Sequence, residues 1–233
     1  MRVLVGTSGY SYKEWKGRFY PEKMKEADML RFYAERFSAV EINNTFYRMP
    51  KVDLLRRWAE QTPEGFTFVL KAPQRITHQK RLGEVASEVA YLLETAAALG
   101  ARLGPVLYQL PPYMKKDVGR LQSFLDGLPA QPAAAFEFRH ESWSDDEVRQ
   151  TLRDHGAALC LADTDEEPLG DLAVTAGWGY LRLRRASYTE DDLVRWSERV
   201  RAQPWDRAYV FFKHEDEARG PEFAARFMAR AGG

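Results

Sequence analysis

The side chains best placed for chemistry in this sequence come in pairs two residues apart: Glu41 with Asn43, Glu137 with Arg139, and Arg182 with Arg184. Lys71, Gln109 and Lys213 stand at the ends of short apolar runs, and His78 and His140 follow two of those runs. Two carboxylates from distant segments can serve as an acid/base pair or as oxygen donors to a divalent ion. Forked guanidinium groups match phosphate oxygens, and an imidazole moves protons near neutral pH. On an extended strand the spacing of two puts both members of each pair on one face, with Ile42, Phe138 and Leu183 on the other.

Strands are indeed what the surrounding patterns predict. Apolar runs at 2–5, 39–43, 66–71, 106–110, 134–138, 157–161, 179–183 and 208–212 alternate with amphipathic stretches such as Met29-Leu30-Tyr33-Phe37 and Leu193-Val194-Ser197-Val200. Strand and helix in alternation point to a parallel sheet. Eight such units in 233 residues predict a single (β/α)₈ barrel of the TIM type over 1–233, with the weakest helix after the sixth strand, at 165–176. An open doubly wound sheet is the rival, but Gly6-Thr7-Ser8-Gly9 lacks the GxGxxG spacing and leads into aromatics rather than a helix start.

In a barrel, one strand face meets the helices and the other the interior. Val40 and Ile42, Phe136 and Phe138, and Leu181 and Leu183 should face outward. Glu41 and Asn43, Glu137 and Arg139, and Arg182 and Arg184 then point inward, toward the carboxyl ends where this fold places its chemistry. Asp163 has the opposite parity and is the weaker candidate. Counted this way, Arg139, Arg182, Arg184, Lys71 and Lys213 stand against Glu41 and Glu137, inside a protein whose 34 basic and 34 acidic residues cancel. Buried charge is costly unless paired, so a bound anion is the economical counter-charge. The bland alternative is a scaffold in which Glu137–Arg139 and Glu41–Lys71 form structural ion pairs. Around the rim the loops are aromatic, with Tyr10, Tyr12, Trp15, Phe19, Tyr20, Phe46, Tyr47, Tyr113 and Trp143; such rings can stack on a nucleotide or pack over the barrel end.

Other chemistries fit less well. A glycosidase needs one carboxyl with a raised pKa, and neighbouring cations lower it. Glu41, Glu137, Asp163, His78 and His140 could donate to a divalent metal, but no HxH or HExxH spacing is present and arginines compete for the carboxylates. The lone Cys160, between Leu159 and Leu161, reads as a core residue and excludes an intrachain disulfide. Gly6 follows the first apolar residues at once, and no apolar run approaches the about 20 residues of a membrane span. A cytoplasmic protein without membrane partners is expected.

The motifs Gly6-Thr7-Ser8-Gly9-Tyr10, Glu41-Ile42-Asn43-Asn44-Thr45-Phe46-Tyr47-Arg48-Met49-Pro50, Lys71-Ala72-Pro73, Ile76-Thr77-His78, Gln109-Leu110-Pro111-Pro112, and Glu137-Phe138-Arg139-His140 with Ser142-Trp143 occur in order along nearly the whole chain. Together they resemble the DUF72 (YecE-like) family. The resemblance implies a (β/α)₈ barrel and a set of positions, and no established activity. Two departures add positive charge: Arg184 where the family usually has His, and Lys213-His214 where it usually has paired Asn.

The sequence thus predicts a pocket for a phosphate-bearing or other anionic ligand. Tyr10, Asn43, Tyr47, Lys71, Gln109, Arg139, Trp143, Arg182, Arg184 and Lys213 would bind it; Glu41 or Glu137 would act as base, with His140 or His78 moving protons. Phosphoester hydrolysis on a nucleotide-like or nucleic-acid substrate is the leading reaction, with sugar-phosphate isomerase or lyase chemistry and a non-catalytic sensor as alternatives. The sequence leaves the cofactor open, with a divalent metal as a minor alternative.

Overall fold

In the computed structural model, which describes residues 1–166, 168, 170, 172–213 and 216–231, all eight strands form one parallel sheet in the order β1-β8-β7-β6-β5-β4-β3-β2. The strands are β1 Arg2–Thr7, β2 Ala39–Ile42, β3 Thr67–Lys71, β4 Leu103–Gln109, β5 Ala134–Glu137, β6 Ala158–Asp163, β7 Trp178–Leu183 and β8 Arg207–Phe212. Helices α1 Glu26–Ala34, α2 Val52–Glu60, α3 Ala86–Ala96, α4 Val118–Asp126, α5 Asp146–Asp154, α6 Glu190–Arg201 and α7 Arg219–Ala231 surround them. Four side chains set helix starts. Asp117, Asp145 and Thr189 accept from backbone amides at the first turns of α4, α5 and α6, and Asp192 completes a capping box with Thr189.

Period-two alternation sorts the strand residues as expected. Leu4, Ala39, Val69, Leu107, Ala135, Ala158, Cys160, Tyr180, Tyr209 and Phe211 fill the interior. Alanines on β2, β5 and β6 leave the space that the tyrosines and phenylalanine of β7 and β8 occupy, so large faces small across the barrel. Val40, Ile42, Leu181 and Leu183 pack outward into one helix-facing core, and Phe136 and Phe138 into another. Toward the carboxyl ends the interior changes from apolar to charged.

The circle closes between β1 and β2 with little ladder. Ser8 and Glu41 form a single bridge there, and Gly9 donates to the Glu41 carbonyl at 2.8 Å. Ser38 N also donates to the Val5 carbonyl at 3.2 Å, and side chains add to the seam. Ser38 Oγ accepts from Val5 N at 2.9 Å; Tyr33 OH accepts from Thr7 N at 2.7 Å and donates to the Ala39 carbonyl at 3.1 Å. Any side chain at Gly6 would collide with that carbonyl, because a Cβ there would lie 1.8 Å from it.

The β6–β7 connection carries no helix among its described residues. Leu172, Ala173 and Val174 cover the core instead, and Thr175 Oγ1 replaces helix capping by donating to the Ala157 carbonyl and accepting from Leu159 N, both at 2.8 Å. Among the described residues no helix is long and apolar enough to cross a membrane.

Candidate functional site

The carboxyl end of the barrel is floored by an ion network. Arg182, only 2% exposed, lies between the buried Glu41 and Glu137. Its Nη2 donates to Glu41 Oε1 at 2.9 Å and its Nη1 donates to Glu137 Oε2. Glu41 Oε1 also accepts from Ser8 Oγ at 2.7 Å and Asn43 Nδ2 at 3.3 Å, while Tyr180 OH donates to Oε2 at 2.6 Å. Glu137 Oε1 accepts from Arg139 Nε at 3.0 Å, with Arg184 Nη1 at 3.6 Å. Burial pushes both carboxyls upward, yet the surrounding guanidiniums outweigh it and hold both below the ordinary value. Arg182 is held charged: burial alone would lower it, and the two carboxylates override that.

This geometry changes three expectations. The ion pair Glu137–Arg139 forms, but Glu41 pairs with Arg182 rather than Lys71. Both Nη atoms of Arg182 serve carboxylates rather than the expected anion. Each carboxylate already faces several donors, which leaves Glu41 and Glu137 poor bases in this arrangement. Cys160 Sγ lies 4.0 Å from Glu137 Oε2, and burial raises its thiol well above the ordinary range, as a core residue requires.

Above the floor sits a more open group from the β2, β3 and β4 ends. Lys71 Nζ donates to Gln109 Oε1 at 2.7 Å and lies 4.2 Å from the Phe46 ring centroid. Among the described residues it pairs with no carboxylate. Burial first, then the nearby Arg182, push its ionisation down to about 8. The His78 ring meets Phe46 edge-on at 4.8 Å, and its Nδ1 lies 2.9 Å from Thr77 Oγ1. Burial and the charges of Lys71 and Arg139 lower its pKa, which favours the neutral imidazole. Tyr47 and Tyr113 are 75% and 64% exposed, and Tyr113 OH donates to the His78 carbonyl at 3.4 Å. Among the described residues Asn43 Oδ1 and Arg182 Nε are buried without hydrogen-bond partners, two polar atoms that a ligand or water can satisfy.

The remaining candidates lie elsewhere. Tyr10 turns away from the mouth to pack against Tyr33 and Trp58 at 6.2 and 6.3 Å. Tyr12, Trp15, Phe19 and Tyr20 join the same helix-facing aromatic cluster. Trp143 is buried, stacked on Phe138 at 4.5 Å with its Nε1 donating to the Met114 carbonyl at 2.7 Å, so it packs rather than binds. His140 Nδ1 accepts from Ser142 N at 3.1 Å and shapes the β5 loop. Lys213 donates through its backbone to the Leu183 carbonyl at 3.1 Å and is half-buried; His214 lies outside the described residues. Asp163 keeps its outward parity and meets Tyr188 OH at 2.9 Å and Arg185 at 2.8 Å. Among the described residues no three His, Cys, Asp or Glu side chains gather as a metal site would require.

Two residues of the network escaped the sequence reading. Tyr180 shares the parity of Arg182 and could have been found by the same alternation. Ser8 was hidden because β1 runs to Thr7, beyond the apolar run that marks it.

A closed parallel barrel with an arginine-centred ion network at its carboxyl end defines a TIM-type protein of the α/β class. The chain belongs to the family described as "Protein of unknown function DUF72", whose model matches residues 4–233. It is 28% identical over 215 residues to the UPF0759 protein YunF of Bacillus subtilis, covering 87% of this chain and 72% of that one. It is 32% identical over 152 residues to the UPF0759 protein YecE of Escherichia coli K12, covering 64% of this chain and 53% of YecE. The match therefore spans about half the length of YecE. A crystal structure of a DUF72 family protein from Thermotoga maritima superposes with a TM-score of 0.79 at 27% identity, each chain 98% covered. One from Enterococcus faecalis, at 19% identity and a TM-score of 0.81, shares the fold.

Proposed function

We propose that the carboxyl end of this barrel binds a phosphate-bearing ligand and acts on it as an enzyme. The observation that supports this reading is the charge balance of the network. Lys71, Arg139, Arg182 and Arg184 face Glu41 and Glu137, and Arg182 alone already bridges both carboxylates. Arg139, whose side chain is 36% exposed, and Arg184 are left with donors to offer an incoming anion. Two guanidiniums that retain N–H groups suit the oxygens of a phosphoryl group. The exposed Tyr47 and Tyr113 favour a ligand with a flat ring, as in a nucleotide, over a bare sugar phosphate.

Phosphoester hydrolysis is the reaction this field serves directly, because positive side chains stabilise charge that develops on phosphoryl oxygens. With both glutamates occupied, His78 is the better proton acceptor: its ring is neutral and Nδ1 is engaged with Thr77, leaving Nε2 for the ligand. Sugar-phosphate lyase or isomerase chemistry is the second reading, favoured by the desolvated amine of Lys71. Calorimetric titration with inorganic phosphate and nucleoside monophosphates tests the binding step. Arg184→Ala should weaken binding roughly ten- to hundred-fold, the equivalent of about 1.5–3 kcal/mol for a charged hydrogen bond. Turnover of phosphomonoesters and phosphodiesters, with and without Mg²⁺, Mn²⁺ or Zn²⁺, tests the reaction; no heat of binding in wild type would remove the whole reading.

A further inference from the structure

We propose that Lys71 is a nucleophilic amine that condenses with the carbonyl group of a phosphorylated aldehyde or ketone, forming an imine at the mouth of the barrel. The inference rests on the anion-binding part of the proposed function and is independent of hydrolysis. A lysine that serves only as a charge in a crowded interior normally pairs with a carboxylate. Among the described residues Lys71 does not, although Glu41 and Glu137 both act on it electrostatically. Those carboxylates are committed to Arg182, Arg139 and Arg184. The amine has one neutral acceptor, Gln109 Oε1 at 2.7 Å, and one apolar wall, Phe46 at 4.2 Å.

Placing an amine among cations and partly out of water is how a lysine is made nucleophilic. The ionisation at about 8 leaves roughly a tenth of Lys71 as free amine at neutral pH, against roughly one part in three thousand for an ordinary lysine. The other parts are adjacent. Arg139 and Arg184, beside the same carboxylate, offer their remaining N–H groups to a phosphate. His78, against the same Phe46 ring, is a neutral proton relay.

The step balances without a redox partner. The Nζ lone pair forms a bond to the carbonyl carbon while the C=O pair moves to oxygen and is protonated. Nζ then gives up a proton, the nitrogen lone pair closes the C=N bond, and the oxygen leaves as water after taking a second proton. Net, one amine, one carbonyl and one proton become one iminium ion and one water. The iminium then draws electrons from the neighbouring carbon, the requirement of lyase and isomerase chemistry on phosphorylated sugars.

Borohydride reduction makes the imine permanent, and intact-mass and peptide analysis locate it. With glyceraldehyde 3-phosphate as probe, one reduced adduct per chain is expected on Lys71, forming roughly ten-fold or more faster than with glyceraldehyde and suppressed by inorganic phosphate. Its rate should rise as pH increases through about 8. Lys71→Arg should abolish the adduct, because a guanidinium stays charged and forms no imine, a loss that labelling of surface lysines would not show. Labelling spread evenly over surface lysines, with no phosphate protection, overturns the imine. If phosphate still binds in that case, the anion site survives and only Lys71 chemistry is lost; if phosphate does not bind either, both readings fall.

Discussion

The floor of the barrel mouth and its lip are built from similar residue types and behave differently. On the floor, Arg182 spends both Nη groups on Glu41 and Glu137, Tyr180 and Ser8 fill further carboxylate positions, and nearly nothing is exposed. At the lip, Lys71 has a single amide for company, His78 keeps Nε2 open, and two tyrosines face solvent. Charges saturated with partners make scaffold; charges left short of partners make a site. The strand ends supply both, because successive inward positions on one strand differ in depth: Glu137 is buried and Arg139, two residues on, reaches the surface.

The sharpest way to break this contrast is at its centre. Arg182→Ala leaves two carboxylates buried beside an emptied space and should cost about 3–5 kcal/mol of unfolding free energy by urea titration. A loss under about 1 kcal/mol would mean that the floor is no scaffold. Replacing Glu41, Arg182 and Glu137 together by neutral residues of similar size should recover much of the loss, since no charge is then stranded.

Acid should act on the floor next. Both glutamates are held below their ordinary value of 4.5, so the folded state binds fewer protons than the unfolded one as pH falls past it. Their contribution to stability is complete above that value and is lost as pH drops below it toward their folded pKa values. Urea midpoints measured from pH 7 to 3 should fall steeply at the acid end, and Glu137→Gln should flatten that slope; an equal slope in both proteins would place the acid sensitivity elsewhere.

The lip should respond with the opposite sign. Lys71 sits at about 8 instead of 10.5, so between these values the unfolded chain holds the extra proton and stability rises with pH. Lys71→Met, which removes the titration, should be as stable as wild type or more so at pH 7, and wild type should gain on it up to pH 10.5. A Lys71→Met protein that is much less stable at pH 7 would place this lysine in the scaffold.

The smallest effect belongs to Tyr47. Its ring is 75% exposed, so Tyr47→Ala should change stability by no more than about 0.5 kcal/mol while weakening nucleotide binding. Unchanged nucleotide affinity would remove base stacking and leave the phosphate contacts alone.

The barrel was legible because alternation reports which strand face a residue occupies. Glu41, Glu137, Arg182 and the outward set beside them all fell on the expected sides. Alternation says nothing of angle around the barrel, so it finds the Glu137–Arg139 pair on one strand but not the partner of Glu41. Arg182 on β7 is long enough to reach β2 and β5 at once, whereas Lys71 on β3 turns to its neighbour Gln109 on β4. Loop aromatics were harder still. Tyr10 and Trp143 lie in segments where period two has ended, and only the packing of Tyr33, Trp58 and Phe138 decides that they turn from the mouth.

The thin β1–β2 seam bears on how the chain assembles. β1 shares a six-residue register with β8, and with β2 a single bridge, two backbone hydrogen bonds and borrowed hydroxyls. β1 therefore has its main partner about two hundred residues along the chain, a contact of high sequence separation that forms at large entropic cost. On the β2 side β1 is held by the Tyr33 and Ser38 hydroxyls and by the Ser38 and Gly9 amides, and the close approach at Gly6 leaves no room there for a side chain.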